Sequence, residues 1–146
     1  LAAACVCISP ALADGHAEKA VKARKAMMQV VAFNLGPLGA MAKGEADYDA
    51  EAASTFAKNL EVLAKMNTAA MWPAGSDNGV LGDKTRALPA AWAEGSTVME
   101  KHQAWTTAST QLAAVAGDGL DALKGAIGDV GKSCGGCHDN YRAEKK

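Results

Sequence analysis

The residues with the clearest potential for chemistry are two cysteines near the end of the chain and the histidine that follows them. They form the segment Cys134-Gly135-Gly136-Cys137-His138. Two thiols at this spacing can form thioether bonds to the vinyl groups of a haem, and the adjacent imidazole can then bind the iron from one face. The two glycines leave the backbone unobstructed where the macrocycle would lie. The segment therefore predicts one covalently bound haem c per chain.

Other kinds of site also use closely spaced cysteines. A thioredoxin-type redox pair is expected at the start of a helix after a strand, and the sequence shows no strand pattern. A structural zinc ion needs four ligands, and only His16 and His102 could add nitrogen to the segment, at spacings unlike those of zinc fingers. An iron–sulfur cluster would lack cysteine ligands. A non-haem metal or redox module therefore remains as an alternative to haem.

Residues 1–13 have the character of the end of a secretory signal peptide. An uncharged, largely apolar run is followed by Ala11 and Ala13, two small residues that fit the signal-peptidase cleavage rule. Cleavage there would begin the mature chain at Asp14, remove two of the four cysteines and place the protein in the periplasm. A lipoprotein signal at Cys5 is the alternative interpretation.

The overall composition excludes several classes of partner. Fifteen Lys and Arg residues balance sixteen Asp and Glu residues, for a net charge of −1. This balance gives no positive field for nucleic acid or for an anionic membrane surface. The N-terminal apolar run is too short to span a bilayer, so we expect no membrane insertion of the mature chain. Only 5% of the 146 residues are aromatic, which suggests that something other than side chains fills part of the core.

Apolar residues recur at spacings of three and four throughout residues 14–146, which predicts one all-α domain. Four helices are expected. The first runs from about residue 17 to 43 with a kink at Gly36-Pro37, and Gly44 ends it. The second begins after the N-cap Asp49 and continues to shortly before Pro73. The third and fourth cover about 97–117, capped by Ser96, and 120–141. Helices of this length predict an antiparallel up-down four-helix bundle.

The apolar stripes of the predicted helices place the chemistry inside the bundle. The stripe of the last helix includes both cysteines of the motif, and the stripe of the first helix contains one charged residue. The first stripe comprises Val21, Arg24, Met28, Val31, Leu35, Leu38 and Ala42, and the last comprises Leu120, Leu123, Ile127, Val130, Cys134, Cys137 and Tyr141.

Several short motifs, taken together, resemble those of the cytochrome c′ family of four-helix-bundle c-type cytochromes. The resemblance covers essentially the whole predicted mature chain, and it depends on where the haem-type motif stands as much as on the motif itself. The matching residues are Arg24 and Met28, Lys43-Gly44, Tyr48-Asp49, Thr85-Arg86 with Pro89 and Trp92, and the segment from Cys134 to His138 with Tyr141-Arg142.

The resemblance implies roles for individual residues. Cys134 and Cys137 would hold the haem, and His138 would be the axial ligand of the iron. Arg142 would lie on the proximal side, although a solvated tail residue is the alternative. Arg24 lies on an apolar stripe and needs an anionic partner such as a haem propionate, unless its guanidinium extends to solvent. By the same analogy Trp72 and Trp92 would border the haem pocket.

Met28 decides between two mechanisms. If its thioether only packs on the distal side, the iron is five-coordinate and open to nitric oxide or carbon monoxide, as in cytochrome c′. If its sulfur is the sixth ligand, the iron is low-spin and suited to electron transfer. The third interpretation is that Met28 only fills the core. The motifs around the tryptophans and the C-terminus favour the open site.

No combination of side chains typical of a catalytic centre is present, so we expect a haem protein that is not an enzyme. The expected activities are binding of small gaseous ligands, electron transfer, or both, with redox partners that the sequence does not identify. The family resemblance also implies a homodimer formed through the first two helices.

Overall fold

The computed structural model describes residues 10–145, and within this range the chain is helical with no β-strand. The only extended pairing there is one isolated antiparallel bridge, between Ala87 and Arg142. Short 3-10 turns occur at Ala69–Met71, Gly82–Lys84 and Pro89–Trp92. The α-helices are α1 (Pro10–Lys43), α2 (Ala50–Lys65), the short α3 (Asn78–Leu81), α4 (Val98–Val115) and α5 (Leu120–Tyr141).

Helix α1 begins earlier than the sequence suggests, at Pro10 instead of near residue 17. Proline is well suited to the first turn of a helix because the N–H that it lacks would have no partner there. Most of the predicted signal segment, residues 1–9, lies outside the described residues, and residues 10–13 form the start of α1. The helix also runs on through Pro37 without ending.

Helix α2 ends earlier than expected, at Lys65 instead of close to Pro73. Met66 is extended, with φ −64° and ψ 134°. The side-chain oxygen of Asn67 then accepts a hydrogen bond from the N–H of Ala69 (3.1 Å). Asparagine competes with helical hydrogen bonding in this way, so the chain turns instead of continuing α2.

The helix ends at Asp49 and Gly44 were predicted correctly, whereas the N-cap predicted for the third long helix, Ser96, is wrong by one residue. The Asp49 carboxylate accepts a hydrogen bond from the N–H of Ala52 (2.9 Å) at the start of α2. Gly44 has φ +76° and ends α1 in the left-handed conformation that glycine tolerates. At the start of α4 the N-cap is Thr97, and the preceding Ser96 accepts a hydrogen bond from the N–H of Val98 (3.3 Å).

The four long helices form a ring in which α1 packs on α2, α2 on α4, and α4 on α5, with α1 and α5 closing the ring less tightly. The core is almost entirely aliphatic, and among the residues that the structure describes its only buried aromatic ring is that of Trp105. The buried cluster comprises Met27, Val31, Leu38, Met41, Ala53, Ala57, Leu60, Ala64, Trp105, Ala108, Leu112, Ala116, Leu123 and Val130. Across the described residues, no helix combines the length and the apolarity that crossing a bilayer requires.

The loop before α2 is tied to the α4–α5 turn by a single hydroxyl. Tyr48 donates a hydrogen bond to the carbonyl of Ala116 (2.9 Å) and accepts one from the N–H of Gly119 (2.9 Å). These two bonds join segments about seventy residues apart in the chain.

Replacing Tyr48 with phenylalanine is expected to lower the free energy of unfolding by about 1–2 kcal/mol, because two backbone groups lose their partner. The ring itself remains, so the packing against the core should be unchanged. Thermal unfolding of the haem-loaded protein measures the effect. An unchanged midpoint would contradict the assigned role.

Candidate haem site

The three residues predicted to hold the haem lie together on the last turns of α5. Cys134 and Cys137 are half-buried free thiols, and His138 is half-buried beside them. Burial raises the pKa of both thiols, and for Cys137 the neighbouring Cys134 adds to the effect. Burial lowers the pKa of His138, and the positive charges of Arg142 and Arg86 lower it further. A neutral imidazole is the form that binds iron, so this donor set fits haem c.

A groove of about 590 Å³ runs between α1 and α5. Its walls follow helical periodicity, with steps of three and four along each helix. The α1 wall includes Ala32, Leu35, Gly39 and Ala42, and the α5 wall includes Lys124, Ile127 and Gly131.

The predicted site residues lie further along the same two helices, at the same spacing of three and four residues. One turn before Ala32 on α1 is Met28, and beyond Gly131 on α5 are Cys134 and His138. Residues that share one flank of a helix face the same neighbour. Met28 and His138 therefore continue, in helical register, the two walls of the groove between α1 and α5.

The structure separates the roles of two adjacent methionines. Met27 is 7% exposed and belongs to the buried core, whereas Met28 is 40% exposed. The interpretation of Met28 as a core-filling residue is therefore wrong. The predicted apolar stripe of α1 included Met28, but the buried face of the helix includes the neighbouring Met27 instead.

Arg24 is 5% exposed and donates four hydrogen bonds to the segment between α2 and α4. Nη1 donates to the carbonyl of Met71 (3.1 Å) and to the hydroxyl of Ser76 (2.7 Å). Nη2 donates to the carbonyl of Ser76 and to the hydroxyl of Thr85 (2.9 Å). The guanidinium thus joins α1 to residues 47–61 positions further along the chain.

Two tryptophans enclose the same guanidinium. Its carbon lies 4.6 Å from the centre of the Trp72 ring and 5.8 Å from that of Trp92. The rings are 5.7 Å apart, and the indole N–H of Trp92 donates to the carbonyl of Trp72 (3.1 Å). Burial lowers the pKa of Arg24, and the charge of Asp77 partly opposes this.

The alternative in which Arg24 extends to solvent is therefore wrong. Its four hydrogen-bond acceptors in the described residues are all uncharged, and Nε is not the donor in any of these bonds. Contact with a haem propionate remains a prediction. Sequence reasoning missed Ser76 and the carbonyl of Met71, because backbone acceptors in a loop leave no signal in residue type.

The C-terminal residues of the chain form a clamp with residues 86–88. The N–H of Leu88 donates to the carbonyl of Tyr141 (2.9 Å), and the N–H of Ala143 donates to the carbonyl of Arg86 (2.8 Å). The Arg86 side chain donates from Nε to the carbonyl of Ala143 (2.7 Å). Arg142 itself is exposed, as expected of a tail residue, although its charge acts on His138.

Tyr141 has a function that its place in the motif did not reveal. Its hydroxyl accepts a hydrogen bond from the N–H of Thr97 (2.8 Å) and shares another with the Thr97 hydroxyl (2.9 Å). Thr97 makes no side-chain cap of its own. The end of α5 therefore caps the start of α4. Of the two further histidines weighed as zinc ligands, His16 is exposed near the start of α1, and His102 packs edge-on against Trp105 at 5.6 Å.

A ring of four long helices that carries a Cys-x-x-Cys-His segment at the end of its last helix defines a c-type haem protein of the helical-bundle class. The family model described as Cytochrome C′ matches residues 19–142. The chain belongs to the cytochrome c′ family, and its cofactor is the covalently attached haem c of that family.

Individual relatives agree with this assignment. Cytochrome c-554 of Cereibacter sphaeroides is 39% identical over 135 residues, covering 91% of this chain and 88% of its own. The structure of cytochrome c′ from Rhodobacter sphaeroides matches with a TM-score of 0.85 at 37% identity, covering 88% of this chain and 98% of its own. A nitric oxide complex of a cytochrome c prime mutant from Alcaligenes xylosoxidans matches at 0.73 and 34% identity, covering 88% and 97%.

Proposed function

We propose that this chain holds its haem through Cys134 and Cys137, binds the iron through His138, and leaves the opposite face open to nitric oxide or carbon monoxide. The observation that carries the proposal is the half-buried set of Cys134, Cys137 and His138 at the end of α5, with Met28 in register with the α1 wall that packs on this helix. A ferrous haem with an open axial position would bind small neutral diatomic ligands at its iron. Met28 would border that position, and the similarity to a cytochrome c prime solved with nitric oxide supports this reading.

A second candidate function is electron transfer with Met28 as the sixth ligand of the iron. It is favoured by the same placement of Met28, whose side chain is not held in the core. A thioether ligand would make the iron low-spin and raise its reduction potential.

Absorption spectra of the ferrous protein, with and without carbon monoxide, distinguish the two functions. A high-spin ferrous spectrum that changes on addition of carbon monoxide is expected for the open site. A low-spin ferrous spectrum that carbon monoxide leaves unchanged would replace the first proposal with the second.

Replacing Met28 with alanine is expected to leave the spin state unchanged, because the side chain borders the iron without binding it. The free energy of unfolding should also change little, since Met28 is not in the core. The matched control is Met27→Ala, which is expected to cost about 2–5 kcal/mol through loss of a buried side chain. A change from low spin to high spin in Met28→Ala would instead identify Met28 as a ligand.

We also propose export to the periplasm, with signal cleavage between Ala13 and Asp14. The small residues at 11 and 13 support this position. The mass of the protein recovered from the periplasm tests it. A mature chain that begins elsewhere, or that carries a lipid on Cys5, would contradict the proposed cleavage.

Association as a homodimer through α1 and α2 is supported by apolar side chains exposed on these helices. Phe33 of α1 is 72% exposed and contacts Phe56 of α2 edge-on, with ring centres 6.5 Å apart. Val30 and Val62 are also exposed on these helices.

Phe33→Lys is expected to shift the protein from dimer to monomer in sedimentation analysis, because a charge would be buried in the interface. Met99→Lys on α4 is the matched control, since Met99 is equally exposed at 72%. If both variants sediment like the wild type, the dimer does not use the exposed face around Phe33.

A further inference from the structure

Two buried polar atoms of α4 have no hydrogen-bond partner among the residues that the structure describes. They are the indole Nε1 of Trp105 and the hydroxyl oxygen of Ser109. Trp105 is 8% exposed and Ser109 is 0% exposed. Buried polar groups in proteins are nearly always paired, so these two atoms indicate a bound partner. The other buried polar or charged residues of the described part all make hydrogen bonds, and they are Arg24, Asn34, Ser76, Asp77 and Thr85.

The two atoms belong to the same face of α4. Residues four apart in a helix are neighbours, with Cβ atoms about 5–6 Å apart. A hydroxyl inside a helix often donates to a carbonyl of the preceding turn, as the Thr106 hydroxyl does to the carbonyl of His102 (3.1 Å). The Ser109 hydroxyl makes no such bond to any described residue. It can therefore pair with a ligand that it shares with Trp105.

The register of the helices places this pair inside the bundle, next to the haem-binding segment. Helices α4 and α5 are joined by a short turn and pack antiparallel. The Lys101 side chain of α4 lies beside Gly136 of α5, 3.9 Å from the position that a Cβ there would take. Four residues further along α4, Trp105 is therefore close to the level of Cys134. Cys134 packs against the buried cluster that includes Trp105, and Ser109 lies one turn deeper.

We propose that Trp105 and Ser109 bind one water molecule inside the bundle. The water accepts a hydrogen bond from the indole N–H and shares a second with the serine hydroxyl, which can donate or accept. A bridging water spans two hydrogen bonds of about 2.7–3.0 Å each, which is compatible with side chains four residues apart. A charged ligand is disfavoured because the surrounding cluster is apolar. This water site is independent of the ligand that the iron binds.

Thermal unfolding of the haem-loaded protein tests the part of Ser109. Ser109→Ala is expected to lower the unfolding midpoint by about 2–5 °C, because the water loses one partner and the indole N–H is left unpaired. The matched control is Ser54→Ala in α2, where Ser54 is partly exposed and lies beside Gly117, beyond the end of α4. It receives the same gain in helix propensity and should not lower the midpoint. A midpoint of Ser109→Ala at or above that of the wild type would overturn the site.

A double-mutant cycle tests whether the two atoms share one ligand. Trp105→Phe removes the indole N–H and keeps an aromatic ring. It is expected to lower the midpoint less in the Ser109→Ala background than in the wild type, because the water is already lost there. In the Ser54→Ala background it should lower the midpoint as much as in the wild type. Equal losses in all three backgrounds would contradict a shared water.

A crystal structure of the haem-loaded protein observes the site directly. The expected result is the density of one water within about 3 Å of both Nε1 of Trp105 and Oγ of Ser109. A direct hydrogen bond between the two side chains, or a haem atom in contact with them at this place, would overturn the proposal.

Discussion

Replacing both Cys134 and Cys137 with serine is expected to abolish covalent haem. Acidified organic solvent, which cannot break thioether bonds, will then extract any haem that remains. The wild-type protein should keep essentially all of its haem under the same treatment. The measurement is the haem absorbance that stays with the precipitated protein.

Ser133→Ala is the matched control, since it changes a neighbour of the first cysteine and leaves both thiols in place. The Ser133 hydroxyl donates to the carbonyl of Val130 (2.7 Å), and its hydrogen bond to Cys134 lowers the pKa of that thiol. This variant is expected to retain haem like the wild type. Retention of haem in the double serine variant after extraction would show that neither thiol carries it. The single variants then reveal whether one thioether is sufficient.

Arg24→Met is expected to be the most destabilising substitution of a polar residue in the described part of the chain. It removes four hydrogen bonds and the contact with two tryptophan rings. The buried carbonyl of Ser76 loses this donor, whereas the Thr85 hydroxyl keeps the hydrogen bond from the N–H of Ala87 (3.2 Å). Hydrogen bonds to a charged group contribute about 1.5–3 kcal/mol each and are not additive, so we expect a loss of about 3–5 kcal/mol. At about 2–4 °C per kcal/mol for a domain of this size, the unfolding midpoint should fall by roughly 10 °C.

Two further variants separate the possible roles of Arg24. Lys25→Met removes a neighbouring exposed cation that makes one long hydrogen bond, to the carbonyl of Lys84 (3.4 Å), and it should change the midpoint by little. Arg24→Lys keeps the charge but loses the planar fork that reaches four acceptors. If Arg24 mainly holds the loop, Arg24→Lys should be almost as unstable as Arg24→Met. A lysine variant with wild-type stability would mean that only the charge matters.

The parts of the fold that were predictable are those determined by local chemistry. Asp49 and Gly44 mark helix ends because a carboxylate can cap free N–H groups and glycine tolerates a left-handed turn. The helical periodicity of residues 98–141 gave α4 and α5 nearly to the residue. The Cys-x-x-Cys-His segment identified the haem chemistry without any knowledge of the fold.

The misassigned features depend on contacts between distant segments. The face of α1 that is buried is set by α2 and α5, so the choice between Met27 and Met28 could not be made from spacing alone. The partners of Arg24 are backbone carbonyls and hydroxyls of a loop whose path the sequence does not specify. The early end of α2 has a local cause instead: Asn67 accepts a hydrogen bond from the N–H of Ala69 and the chain turns there, although the apolar spacing continues beyond Lys65.

The clamp between residues 86–88 and 141–143 separates the groups that would bind the haem from the groups that hold the end of α5 in place. A chain cut after His138 would keep Cys134, Cys137 and His138 but lose the clamp and the hydrogen bonds of Tyr141 to Thr97 at the start of α4. Such a chain could still attach haem while the last turn of α5 is no longer tied to the rest of the fold. Haem attachment and rigidity of the site are thus separate properties of neighbouring residues.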